Sequence, residues 1–232
     1  MTNSNINFKP DYHQLVEHYE KCFKQHGASH KGVDWPNEHD AFKRLRIMLE
    51  IVKFHGNQKV KLLDLGCGYG ALFSYLKSHN LLEKIDYHGV DLSNEMISYA
   101  QSNFEPQNFE VKDVISNPFN DNQFDFVIMN GVFTEKLSMT QIEMQEFFIT
   151  LIKEASKISK FGFAFNVMSK HVDYEKDHLF HISYDEIASI LKKELNIVNN
   201  YSFRADYGLY EFTSYVYKIP YEERKSWNNI EF

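Results

Sequence analysis

At 232 residues the chain suits one α/β domain with a modest extension, and two domains would be cramped. A net charge of −7 with scattered basic residues gives no electrostatic footprint for a polyanion, so nucleic acid is not an expected partner. The two cysteines, Cys22 and Cys67, lie far apart, which argues against a disulfide framework and for a reducing, cytoplasmic compartment.

The N-terminal stretch "MTNSNINFKPDYH" lacks an apolar signal core, and no run approaches the roughly 20 apolar residues that span a bilayer. Helical spacing of apolar residues predicts helices over 11–25 and 38–55, the second through Phe42, Leu45, Ile47, Met48, Leu49 and Val52. Between them "HGASHKGVDWPNEHD" reads as a loop. From residue 60 strands and helices alternate: strand 60–65, helix 70–79, strand 85–91, helix 93–103, strands 108–112 and 124–129, helix 140–157 and strand 161–167. That alternation predicts a parallel sheet covered by helices on both faces. Helix 183–194 then leads into "NIVNNYSF" and "YEFTSYVYKI" with no helix between them, which predicts an antiparallel pair at the sheet end. No linker divides the chain. The expected organisation is a helical lid or extension over 1–58, one domain over 59–220 and a tail over 221–232.

The stretch "VKLLDLGCGYGAL" carries the first chemistry. A strand that ends in Gly66, Gly68 and Gly70 and runs into a helix brings bare backbone N–H groups up to a polar ligand. A dinucleotide fingerprint also fits, since Ala71 takes the last place and Asp91 lies at a ribose-holding distance downstream. Neighbouring residues separate the two. Asp64 stands where a dinucleotide site usually has an apolar residue, and a carboxylate there suits a ligand with an ammonium group. Asp113, closing "FEVKDV", can accept from an exocyclic adenine amine. Read singly, each aspartate also works as a turn former or helix cap.

"LLDLGCGYG", "YHGVDLSNEMISYAQ", "FEVKDV" and "FDFVIMNGVF" resemble, in order and spacing over residues 60–133, the motifs of class I S-adenosylmethionine-dependent methyltransferases. The resemblance implies a Rossmann-like, seven-stranded, mostly parallel sheet with an antiparallel last strand, and S-adenosylmethionine as cofactor. It implies that Asp64, Gly66, Cys67 and Gly68 hold the methionine moiety, that Asp91 binds the ribose, and that Leu92 packs on the adenine with Met96 nearby. Asp113 and Val114 would read the adenine edge, and Asn130 and Gly131 would line the wall near the transferred methyl. Family members acting on small molecules often cover the site with residues before the first strand. Trp35 and Arg44 of "GVDWPNEHDAFKRLR" are candidates for that lid, with Arg44 pairing the methionine carboxylate unless it is a surface charge beside Arg46.

Acceptor groups are expected in loops after strands, because ligands bind beyond the carboxyl ends of open sheets. "NGVFTEK", "NVMSKHVDYEKDHLFH" and "RADYGLYE" qualify. The second is dense in ionisable groups, and its rival reading is a solvated loop. His171 is the first candidate base, followed by Asp173, His178 and Glu135, with Glu135, Glu211 or solvent left if that loop is scaffold. Trp35, Phe133, Tyr174, His181, Tyr207 and Tyr210 are the expected acceptor-binding residues. His171-x-Asp173 and His178-x-x-His181 offer metal-ligand types at loose spacing, and methyl transfer needs no metal in principle, so no metal site is expected.

After the fourth strand the chain reads "MNGVF" and not Asn/Asp-Pro-Pro-Tyr/Phe, which disfavours amino nitrogens of bases and of glutamine as acceptors. The whole-chain pattern is also similar to small uncharacterised bacterial methyltransferases associated with surface-polysaccharide gene clusters. The expected function is methyl transfer to a small polar acceptor, at the oxygen of a sugar or sugar nucleotide. An NAD-dependent oxidoreductase and a non-catalytic adenosine-ligand-binding protein are the alternatives. Oligomeric state is not readable from the sequence.

Overall fold

The computed structural model describes residues 12–231. Segment 1–11, where the sequence shows no signal core and the first helix is expected to begin, lies outside the described residues, as does Phe232. In chain order the elements are α1 (His13–His26), α2 (Glu38–Leu49), β1 (Lys53–Phe54), β2 (Val60–Leu65), α3 (Ala71–Ser78) and β3 (Ile85–Asp91). Next come α4 (Asn94–Asn103), β4 (Phe109–Val111), β5 (Phe124–Phe133), α5 (Gln141–Ile158), β6 (Ser159–Ser169) and β7 (His181–Ile182). The chain ends with α6 (Tyr184–Leu195), β8 (Tyr201–Arg204), β9 (Glu211–Tyr217), α7 (Tyr221–Arg224) and β10 (Asn228–Asn229).

The main sheet runs β4-β3-β2-β5-β6-β9-β8, with the short β7 paired to β6 off this path. Strands β2 to β6 are parallel, and β9 is antiparallel to both β6 and β8. This is the expected mostly parallel α/β sheet. The strand pair is there too, but β9 inserts between β6 and β8, because all seven of its residues are buried while β8 keeps an exposed edge. The chain lays β3 and β4 on one side of β2 and β5 and β6 on the other. The carboxyl end of β2 is therefore the topological switch point where such sheets bind ligands.

Two apolar layers sandwich the sheet. Phe133, Phe148, Phe165, Phe180 and Phe212 fill one, and Met48, Leu62, Phe73, Tyr87 and Phe126 the other. Helix α5 reaches the first layer through Met144, Phe147, Phe148, Leu151, Ile152 and Ala155, the i, i+3, i+4 spacing of one helical face. Thr140 and Glu143 close its N-terminus in a reciprocal capping box.

Three boundaries differ from the sequence reading. Helix α2 stops at Leu49, and Lys53–Phe54 instead pairs with Asn228–Asn229, so the expected C-terminal tail returns to the extension. The Tyr215 hydroxyl donates to the Ile47 carbonyl at 2.6 Å, a second donor besides the Glu50 N–H at that helix end. Strand β5 runs on to Phe133 past a register shift after Met129. "NIVNNYSF" becomes strand only from Tyr201, because Asn196 at φ 56° terminates α6.

Candidate active site

Beyond β2 the chain turns through Gly66 at φ 84° and Gly68 at φ 54° before α3 begins. The Gly66 and Cys67 N–H groups both donate to the Val90 carbonyl, at 2.8 and 3.0 Å, folding the loop over the end of β3. A Cβ on Gly66 would lie 2.6 Å from Cγ2 of Val132, so this position needs glycine for space as well as for its left-handed backbone.

The aspartates of the motif line one pocket with this loop. Asp64 is buried and accepts from the Tyr87 hydroxyl at 2.8 Å; burial pushes its carboxyl up to about 7 against the pull of that hydrogen bond. Asp91 accepts from the Gly68 N–H and from the Ser93 N–H, each at 2.9 Å. Burial pushes the Asp91 carboxyl up, and these backbone donors oppose it. The cap of α4 is Ser93 and not Asp91, since the Ser93 side chain accepts from the Met96 N–H. Asp113 accepts from the Tyr12 and Ser116 hydroxyls at 2.8 Å each and from the Ile115 N–H at 3.0 Å. Burial raises its carboxyl, and these donors outweigh burial and hold it below the ordinary range. Asp113 is thus both a turn former and a latch for the N-terminal segment. Leu92, Met96, Val114, Asn130 and Gly131 complete the expected lining.

Tyr12, Leu15, Val16 and Tyr19 of the N-terminal segment roof the pocket together with Val33 and Trp35. Four polar contacts fasten α1 there besides its apolar face. They are Tyr12 to Asp113, the Ser93 hydroxyl to Glu20 at 2.9 Å, the Ser138 hydroxyl to Gln14 at 2.6 Å and Lys24 to Glu95 at 2.9 Å. Sequence reading expected the segment before the first strand to cover the site and named Trp35, but named no residue of α1. The Tyr12–Leu15–Tyr19 stripe announces an apolar face without saying what it covers.

Several expected site residues belong elsewhere. Arg44 pairs with Glu211, its Nε at 3.0 and 2.9 Å from the two carboxylate oxygens and one Nη at 2.9 Å, while its other Nη is buried without a hydrogen-bond partner among the described residues. Asn166 links that pair to the pocket wall, donating to Glu211 at 3.2 Å and accepting from the Gly131 N–H at 2.7 Å. Tyr207 joins the same network through its hydroxyl, 3.3 Å from Glu211. Arg44 therefore supports the wall at Gly131, and Glu211 is a counter-ion there instead of a reserve base. Phe133 is fully buried against Phe147, Phe148 and Phe165 and offers nothing to an acceptor.

The loop after β6 stands away from the pocket, which takes no lining residue from 170–181. His171 stacks on Tyr184 with ring centroids 4.9 Å apart, Tyr174 lies tilted against Tyr210 at 5.2 Å, and Asp173 and His178 are exposed. His181 is buried with one ring nitrogen 2.8 Å from the Ser169 carbonyl oxygen and the other accepting from the Lys176 N–H at 3.3 Å, which makes it a loop anchor. Glu135, two residues past β5, is half-buried and bridges to Leu179 through its backbone. Burial and the Asp34 carboxylate push its carboxyl up to about 7, against His18 and Lys176.

The pocket's chemistry selects its ligand. Asp64, Asp91 and Asp113 line it, the buried Asn130 Oδ1 has no partner, and Lys112 is the only cation among the described lining residues. A pyrophosphate would meet carboxylates there, whereas an ammonium-bearing cation would meet acceptors; ribose hydroxyls can donate to Asp91, and a flat base fits among Leu92, Met96, Val114 and Ile115. The residues fit S-adenosylmethionine and fit a dinucleotide poorly.

Comparison with known proteins agrees. The family described as "Methyltransferase domain" matches residues 62–154. Rv1506c of Mycobacterium tuberculosis, named as a methyltransferase, is 32% identical over 157 residues, covering 67% of this chain and 91% of that protein. Among solved structures, a SAM-dependent methyltransferase from Aquifex aeolicus matches with a TM-score of 0.55 at 23% identity, over 82% of this chain and 96% of that one. The magnesium protoporphyrin IX methyltransferase of Synechocystis, solved with bound SAM, matches with a TM-score of 0.58 at 14% identity over 94% and 100%. At these identities the two structures speak for the fold. No helix among the described residues is long and apolar enough to cross a membrane.

Proposed function

The chain belongs to the class I S-adenosylmethionine-dependent methyltransferases, and from that membership we propose that it methylates a hydroxyl oxygen of a small polar acceptor such as a sugar or sugar nucleotide. The bound cofactor supplies an electrophilic methyl group on a sulfonium. In this reading Asp64 and the orphaned Asn130 Oδ1 take the ammonium, Asp91 the ribose hydroxyls, and Leu92, Met96 and Val114 the adenine. Asp113, saturated by Tyr12 and Ser116, orders the adenine end of the pocket mainly through the latch it forms.

The observation that carries a small acceptor is the roof. Helix α1, fastened to the β3–α4 turn, to α4, to Asp113 and to Ser138, leaves a covered pocket suited to a small molecule and not to a macromolecular chain. The same cover excludes water, which methyl transfer requires. Glu135 supports a hydroxyl acceptor. It is not itself a lining residue, but it follows the strand that walls the pocket with Asn130, Gly131 and Val132, three residues beyond the last of them, and its carboxyl, raised to about 7, can take the proton of an acceptor held beyond that wall. A sugar is named only because the sequence pattern resembles that of methyltransferases from surface-polysaccharide clusters.

The test is a screen of sugars and sugar nucleotides with methyl-labelled cofactor, the product mapped by mass spectrometry. O-methylated sugar that Glu135→Gln no longer yields is the expected result. Label on nitrogen, or turnover by Glu135→Gln within a few fold of the parent, overturns this reading.

A further inference from the structure

One grouping of side chains beside the pocket holds neither cofactor nor acceptor in the assignments above, although two of its members, Asp34 and His18, act on the Glu135 carboxyl. His18 and Cys22 stand one turn apart on α1, so both leave the same face of the helix. Asp34 meets them from the end of the short 3-10 turn His30–Val33. One ligand atom from each of the three lies within 4.8 Å of the others. His18 Nε2 donates to Asp34 Oδ2 at 2.8 Å and lies 3.9 Å from Cys22 Sγ.

We propose that His18, Cys22 and Asp34 form a binding site for a divalent cation of the zinc type. Zinc bonds of about 2.0–2.3 Å to nitrogen, oxygen and sulfur put the ligand atoms of a tetrahedral site roughly 3.3–3.6 Å apart. The observed 2.8 and 3.9 Å separations straddle that spacing. A thiolate and an imidazole select zinc, or cobalt as its probe, over magnesium or calcium, which take oxygen ligands. Solvent reaches the site, with the His18 and Asp34 side chains 26% and 46% exposed, so an ion can enter. A hydrogen-bonded pair alone would need only His18 and Asp34; the thiol turned toward the same imidazole nitrogen is what a cation uses.

Binding releases one proton per cation. The Cys22 thiol gives its proton to solvent, and His18 moves its own from Nε2 to Nδ1 so that the Nε2 lone pair can coordinate. Tyr19, beside His18, and Val33 and Trp35, either side of Asp34, line the pocket. The cation would therefore tie α1 to the loop that completes the roof. The sequence predicts no metal site because these ligands come from two segments whose meeting only the fold reveals. The proposal does not depend on the acceptor's identity.

Cobalt(II) titrated into the full-length protein tests it, with S-adenosylhomocysteine affinity as the check that each variant is folded. One equivalent should raise a thiolate-to-cobalt charge-transfer band, and calorimetry in two buffers should count about one proton released. Zinc should bleach the band, Cys22→Ser should remove it, and His18→Ala and Asp34→Asn should each weaken cobalt by more than about tenfold, the lower scale for losing even an outer-shell partner. Absence of the band at one equivalent overturns the site. A band that survives Cys22→Ser places the metal on Cys67, and one of unchanged affinity in His18→Ala and Asp34→Asn reduces it to a bare thiol; either result overturns it too.

Discussion

At the ends of β2, β3 and β5 a few polar groups are held in fixed places. Asp64 is buried under Tyr87, Asp91 is gripped by two backbone N–H groups, and the Gly131 N–H is tied back to Asn166. In the loop after β6, a richer set of ionisable groups is spread over the surface or used to anchor the loop itself. The difference is convergence. Catalysis and binding need polar groups aimed at one volume by rigid elements, and density along the chain does not supply that.

The harshest test of this comparison concerns the support behind the first region. Arg44→Ala should lower stability by about 3–5 kcal/mol, because it leaves the buried Glu211 carboxylate without its partner. Were Arg44 a cofactor ligand instead, the variant would melt like the parent and lose only S-adenosylhomocysteine affinity. Denaturant midpoints and calorimetry separate the two outcomes. Next in size, Glu135→Gln should cut turnover by about 10²-fold or more, the usual scale for a general base, with cofactor affinity nearly unchanged. Asp91→Ala should weaken the cofactor by about 2–3 kcal/mol, since charge-assisted hydrogen bonds to the ribose are lost. Binding as tight as in the parent would reduce Asp91 to a brace for Gly68 and Ser93.

Asp64 makes the same comparison titratable. Its folded carboxyl is pushed up to about 7, far above the ordinary carboxylate value. A raised carboxyl means that the folded state keeps a proton the unfolded chain gives up. Its contribution is therefore full below the ordinary carboxyl range and is lost as pH rises through about 7, a swing on the order of 4 kcal/mol. The ammonium of the cofactor needs the carboxylate. Affinity should fall about tenfold per pH unit below about 7 and level off above it, and melting shifts caused by S-adenosylhomocysteine should grow with pH. Asp64→Asn should flatten both profiles; a persistent slope would assign it to another group.

The sequence exposes the first region because its signals are local. Gly66 and Gly68 need left-handed backbone, and Asp64, Asp91 and Asp113 each follow a run of strand residues, so spacing alone sets them on one edge of the sheet. What stays hidden depends on contacts between distant segments. The roof formed by Tyr12 and Tyr19, the pairing of Arg44 with Glu211, and β9 inserting beside β6 join segments that no periodicity connects. The end of α2 at Leu49 is of the same kind, since residues 51–54 keep an apolar pattern and only pairing with Asn228–Asn229 makes strand of their end.

The smallest expected effect falls on the second region and is the sharpest statement of the comparison. His171→Ala and Asp173→Ala should leave turnover within a few fold of the parent, because His171 is exposed and stacked on Tyr184 and no residue of its loop lines the pocket. His181→Ala should act differently within the same loop. Its ring nitrogens meet Ser169 and the Lys176 N–H, so the loss should appear as about 1–3 kcal/mol of stability, the cost of leaving a buried polar group unpaired, with turnover at saturating substrate largely kept. A drop of 10²-fold for His171→Ala, with cofactor affinity intact and one limb of the pH profile lost, would return the base to this loop. The pocket would then have to open toward β6 in the working enzyme, and the roof on α1 would cover only its cofactor half.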